Sequence, residues 1–170
     1  MLPGYVLQVE FYLNNYTRSV EVTTALGRLS YGGYEANLAA ALRLSRTRVF
    51  TTHHRARGVD DHQVARLAVV FTENRSTNLT ATLAEATATR EAGIGIITVG
   101  IGTAVDLYEL SAVASYPHHR TSFHVNRLSR LSTVSDPIKR IICRGTYSQC
   151  LVRTVVDRVS GFGARHSAQN

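Results

Sequence analysis

No apolar run in this 170-residue chain approaches the roughly 18–20 residues that a membrane-spanning helix needs. The longest, around residues 93–99, is the size of a single strand. Lysine is nearly absent, with Lys139 the only one. Catalytic signatures are missing too: there is no G-x-S-x-G, no H-E-x-x-H and no phosphate-loop lysine. Gly100-Ile101-Gly102 follows an apolar run, but Val105 stands where a dinucleotide-binding turn needs its third glycine. An enzyme is therefore not expected. The two cysteines, Cys143 and Cys150, form neither a C-x-x-C pair nor a Cys/His metal pattern. They can pair with each other, bond to another segment or stay free. The first 13 residues lack a basic leader and include Gln8 and Glu10. An export signal is accordingly expected on sequence outside this chain.

What is present describes a globular protein. A hydrophobic share of 44% against 18% charged residues suits one folded domain with a sizeable core. The net charge of +7 comes almost entirely from arginine. Such a surface can attract nucleic acid, anionic lipid or sulfated polysaccharide. The arginines are spread through every expected element, with no dense block beyond Arg55 and Arg57, so a solvated basic surface is the plainer expectation.

Periodicity supplies the elements. Val9, Phe11 and Leu13 alternate with Glu10 and Tyr12, predicting a strand over residues 7–13. Thr17 is the expected N-cap of a helix carrying Val20, Val22, Ala25, Leu26 and Leu29. A second helix is expected over residues 36–46, then an exposed loop over 51–63. Residues 64–71 and 95–101 are near-continuous apolar runs, the pattern of strands covered on both faces. Helical spacing marks residues 80–92, ending at Gly93, and a helix carrying Leu107, Leu110, Val113 and Ala114, opened by a capping box of Thr103 and Asp106. A short strand at 121–125 precedes a helix from Leu128 to Cys143, which Pro137 should kink or split. Residues 151–159 can form either strand or helix, and 161–170 read as a disordered end. Strands alternating with helices predict an α/β fold with a mainly parallel, doubly wound sheet.

In order along the chain, these segments resemble the later two-thirds of the von Willebrand factor type A family, in the form found in matrilins and non-fibrillar collagens. FYLNNY at 11–16 is similar to the family's F-x-L-N-x-Y. LSYGGYEANLAAAL at 29–42 is similar to its Gly-rich turn and T-N-T-G-x-A-L, and VFT at 49–51 to the end of the following helix. LAVVFTENRS at 67–76 stands where the family has a strand and T-D-G-x-S. AGIGIITVGIG at 92–102 resembles G-I-x-I-x-x-I-G-V-G, and ELSAVASYP at 109–117 resembles E-L-x-x-I-A-S-x-P. Residues 123–131 with Cys143 resemble the closing helix.

The resemblance implies a partial domain over residues 5–143 with a C-terminal extension, partly disordered, over 144–170. It implies a Rossmann-like sheet flanked by helices. It also implies an extracellular, secreted module that binds matrix or cell-surface proteins without catalysis, membrane insertion or nucleic acid; glycosaminoglycans are a secondary class of partner.

Relatives that bind ligand through Mg²⁺ or Mn²⁺ take donors from a first-strand D-x-S-x-S, a Thr in the Gly-rich turn and the Asp of T-D-G. A small hard cation wants about six oxygens at roughly 2.1 Å. Here the first, central strand is missing from its place before residue 7, Ala36 takes the Thr position, and Glu73 followed by Asn74 replaces Asp-Gly. No Mg²⁺ or Mn²⁺ cofactor is expected. An incompletely read gene, a splice form or a decayed copy is the favoured explanation of the missing strand, over a tail that folds back into the gap. Such a remnant without function, or a basic scaffold for polyanions, is the alternative to protein binding.

Three sequons, at Asn15, Asn74 and Asn78, fit secretion; glycans at the last two would screen the degenerate metal site. Cys143 at the end of its helix suits a structural disulfide, with Cys150 as the other candidate. His53-His54 and His118-His119 are expected to be exposed loop residues, since adjacent histidines rarely share one ion without further ligands.

Overall fold

Two strands and the helix between them set the architecture of the computed structural model, which describes residues 7, 9–29, 37–56, 65–144 and 155–158. β1 (Arg66–Thr72) runs into α3 (Leu79–Glu91), which returns to β2 (Ile94–Ile101) lying parallel to β1 in register from Arg66 opposite Ile94 to Thr72 opposite Gly100. Parallel strands need a crossover of this kind, and the return helix covers one sheet face. Around this unit lie α1 (Ser19–Gly27), α2 (Leu38–Leu44), α4 (Leu107–Val113), α5 (His118–Thr121), β3 (Ser122–Val125), α6 (Ser132–Arg144) and β4 (Val155–Arg158). The sheet order is β3-β2-β1-β4, with all three pairings parallel.

Alternation along the strands divides the core. Val70 and Ile96 point to one face, where Leu38, Ala41 and Leu42 of α2, Ala86 of α3 and Val113 of α4 bury them. Val69, Ile97, Val99 and Ile101 point to the other, beneath Val134 and Ile138 of α6. Helices on both faces make the sheet doubly wound, as its apolar runs predict. Thr98 is fully buried, yet its hydroxyl donates to Leu110 O at 2.9 Å, which ties β2 to α4 and leaves no unmet polar group.

Several local expectations need correction. Residues 9–13 are not a strand. The chain turns instead, with Asn15 N donating to Tyr12 O and Tyr12 N to Asn15 Oδ1. A strand needs a neighbour to accept its hydrogen bonds, and none of the described strands lies beside it. The first helix is capped at Arg18 rather than Thr17, because Glu21 reaches back to accept both Thr17 N and Arg18 N at 3.1 Å. None of its residues is fully buried, and Val20 is 63% exposed. A cavity of about 390 Å³ separates it from Glu10, Phe11 and Tyr16.

α2 continues into a π-helical turn, Ser45–Val49, closed by Phe50 N donating to Ser45 O. The expected loop after it holds a short 3₁₀ turn, Thr52–His54, and buries Ala56. Asp106 is itself the N-cap of α4, accepting from Tyr108 N and Glu109 N, so Thr103 does not play that part. A 3₁₀ turn at Leu128–Arg130 precedes α6, which continues through Pro137. Pro137 is the sixth of its 13 residues, so the helix runs on with one backbone donor missing there.

The described residues contain no strand ahead of β1. The place beside β1 is taken from the other end of the chain by β4, whose residues 155–158 pair with Ala68 to Phe71. The less favoured expectation, a tail that folds back, thus describes the sheet. Cys143 is disulfide-bonded, while Cys150 lies outside the described residues.

Candidate binding face at the carboxyl ends of the strands

Parallel strands bring their carboxyl ends to one side of the sheet, and the loops that leave them there are the usual place for a ligand. On this side lie the β1–α3 loop, residues 73–78, and the β2–α4 loop, residues 102–106. Gly102, at φ +84°, lets the chain leave β2 sharply, and its amide donates to Val125 O at 2.8 Å. His124 Nε2 lies 2.7 Å from Gly102 O, so the ends of β2 and β3 are laced together.

The β1–α3 loop is held from inside. Thr72 donates its hydroxyl to Asn74 O at 2.7 Å and accepts from Asn74 N at 3.3 Å, closing a tight turn around Glu73. Arg75 N donates to Ala104 O, joining the two loops. Glu109 of α4 is only 4% exposed, and its Oε2 accepts from Ser76 N at 3.0 Å. Its Oε1 and the Ser76 hydroxyl are shielded from solvent without a hydrogen-bond partner. Such a carboxylate anchors a loop, because its acceptor meets an amide that has no other partner. The sequence expectation contained Glu109 only as part of a matching motif. Its sole local signal was an acid three residues after a cap, which ordinarily marks an exposed helix start.

Of the expected metal positions, Ala36 lies outside the described residues and Glu73 stands half-buried at the tip of the turn. The remaining acids of these two loops and the helix they enter are committed, Asp106 to capping α4 and Glu109 to Ser76. Among the described residues, no group of three or more His, Cys, Asp or Glu side chains is placed to hold a metal ion. One half-buried carboxylate and an engaged threonine do not fit a cation that wants about six oxygens.

Three large apolar or aromatic side chains are exposed on the rim of this face. Leu79 opens α3 at 37% exposure, and Leu107 and Tyr108 open α4 at 59% and 67%. Asn74 and Asn78 lie exposed beside them, Asn78 also capping α3 through Ala81 N. Asn15 is exposed in its turn, away from this loop pair in sequence.

The expected histidine pairs are placed separately. His118 and His119 are exposed in α5. His53 is exposed but His54 is half-covered, stacked on Tyr12 at 3.6 Å between ring centroids and 10° between planes. Desolvation, and then the neighbouring His53, lower the His54 pKa from its ordinary 6.5.

Comparison with known proteins agrees with this geometry. Residues 4–137 match the von Willebrand factor type A domain family. Mouse (Mus musculus) matrilin-2 is 29% identical over 137 residues, covering 81% of this chain and 14% of matrilin-2. The mouse collagen alpha-5(VI) chain is 28% identical over 143 residues, covering 84% of this chain and 5% of that protein. The chain thus spans a small fraction of the curated relatives it matches. Proximal thread matrix protein 1 of the mussel byssus has a similar fold, with a TM-score of 0.67 at 20% identity over 75% of this chain and 32% of that one. That mussel protein has also been solved with a zinc-occupied metal-ion-dependent adhesion site.

Proposed function

Because the chain belongs to the von Willebrand factor type A family, we propose that it is a non-catalytic, extracellular module that binds a matrix or cell-surface protein without a metal ion. The observation that carries this reading is the composition of the strand-end face. Thr72, Asp106 and Glu109 are turned onto the two loops and their helix, while Leu79, Leu107 and Tyr108 stand exposed beside them. Tyrosine is among the residue types that carry most of the affinity at protein interfaces, which makes Tyr108 the anchor of this face. The matrix proteins among its relatives support the extracellular setting.

Glu73 is then a solvent-facing contact rather than a metal ligand. Glycans at Asn74 or Asn78 would partly screen this face, and one at Asn15 would leave it open. The test is binding of the purified chain to a panel of purified extracellular-matrix proteins, with and without EDTA. We expect at least one partner whose affinity is unchanged by EDTA and falls about tenfold in Tyr108→Ala, a loss of roughly 1.4 kcal/mol. Binding abolished by EDTA, or no binding to any protein of the panel, would overturn the reading.

A further inference from the structure

Charge in this molecule is not spread as evenly as its composition suggests. Between residues 118 and 144 the sequence places Arg120, Arg127, Arg130, Lys139, Arg140 and Arg144 against a single acid, Asp136. Most of the net charge of +7 therefore arises in this one stretch. It forms α5, β3 and α6, which pack together as one flank of the sheet, α5 touching both β3 and α6.

Helical geometry then sorts the side chains. Val134 and Ile138 turn inward against the sheet, with Ile141 and Ile142 half-buried beside them. The same spacing turns Lys139 and Arg140 outward, and Arg120, Arg127 and Arg130 are exposed as well. Elsewhere some arginines are engaged, Arg46 bridging Glu85 at 2.8 Å, Arg66 donating to Ala92 O and Arg90 to Val113 O, while others, Arg43 and Arg48 among them, are exposed. On this flank the side chains of Arg120, Arg127, Arg130 and Arg140 make no hydrogen bond or ion pair among the described residues, and Lys139 meets Asp136 only at 3.5 Å with both side chains at least 70% exposed.

We propose that this flank is a binding site for a sulfated polysaccharide chain. The 13 residues of α6 span about 20 Å, with exposed Arg127 and Arg130 just ahead of its start and exposed Lys139 and Arg140 in its second half. A compact anion could satisfy only a few cations this far apart, since screening limits each charge to about 8 Å at physiological salt. A polymeric anion can meet them in succession. The planar guanidinium fork can donate two hydrogen bonds to a pair of sulfate oxygens, and release of counterions supplies the driving force. The extracellular setting of the relatives selects a sulfated glycan over nucleic acid.

Heparin, titrated against the full chain at several salt concentrations, is the probe. Lys139→Gln/Arg140→Gln should weaken binding at least fivefold and flatten its salt dependence. Arg43→Gln/Arg48→Gln, which removes equal charge from the opposite sheet face, should change it less than twofold. Arg127→Gln/Arg130→Gln provides a second test near the helix start, and unchanged melting temperatures show that each variant is folded. Equal losses from the two faces would make this a net-charge effect and overturn the site. Equal binding of desulfated heparin, or tighter binding of a DNA duplex, would overturn the ligand class.

Discussion

Glu109 shows how one residue fixes a loop. Its carboxylate sits almost wholly inside, joined to Ser76 N, so the interaction is removed in different ways by different substitutions. Glu109→Gln retains an acceptor at the same place and should cost little. Glu109→Ala leaves the Ser76 amide without a partner and should destabilise by about 1–3 kcal/mol. Urea unfolding of the two variants reads the difference; equal losses would mean that the carboxylate only fills space. His54 gives a pH signature. Its lowered folded-state pKa means that the unfolded chain binds the proton more readily. The resulting contribution to stability is present above about pH 6.5, the ordinary value, and is lost as the pH falls through that value towards the folded pKa. His54→Phe keeps an aromatic ring on Tyr12 and should remove that part of the pH dependence in thermal melts between pH 7.5 and 5.5. An unchanged pH profile would show that the ring does not titrate differently on folding. Neither residue was legible beforehand, because burial of a lone acid or histidine depends on what packs over it.

At the scale of elements, the apolar runs at residues 64–71 and 95–101 were legible as strands covered on both sides, observed as Arg66–Thr72 and Ile94–Ile101, and α3 was legible to within a residue at each end. Local composition carries that information. Pairing does not show locally, which is why residues 9–13 alternate like a strand without forming one, and why the four residues of β4 were ambiguous. Close packing is likewise hidden. Gly100 lies where α4 crosses β2, and a β-carbon there would overlap Leu110 Cδ1 and press on Val105. Gly100→Ala should therefore destabilise by about 1–3 kcal/mol through overpacking. Gly27→Ala, with open space around the added carbon, should not be destabilising. Thermal denaturation of the pair distinguishes a steric cause from a general intolerance of glycine substitution.

At the scale of the whole molecule, the sheet is closed on one side by β3 and on the other by a strand from the end of the described chain. The resemblance in sequence implies a central first strand that carries the metal motif. Here β4 pairs with Ala68 to Phe71 and covers the edge that would otherwise invite association with another chain. Truncation after Cys150 keeps both cysteines but removes β4. It should lower the melting temperature and promote aggregation; a monodisperse, equally stable product would show that β4 is dispensable. The overall α/β arrangement was legible in the sequence, whereas the source of the strand beside β1 was not.

The central claim, a folded member of this family that works without the family's metal ion, is tested most directly by thermal unfolding of the purified chain with and without millimolar Mg²⁺ or Mn²⁺. The account predicts one cooperative transition at the same temperature in both conditions. A transition raised by metal would contradict it, because a ligand that binds only the native state must stabilise that state.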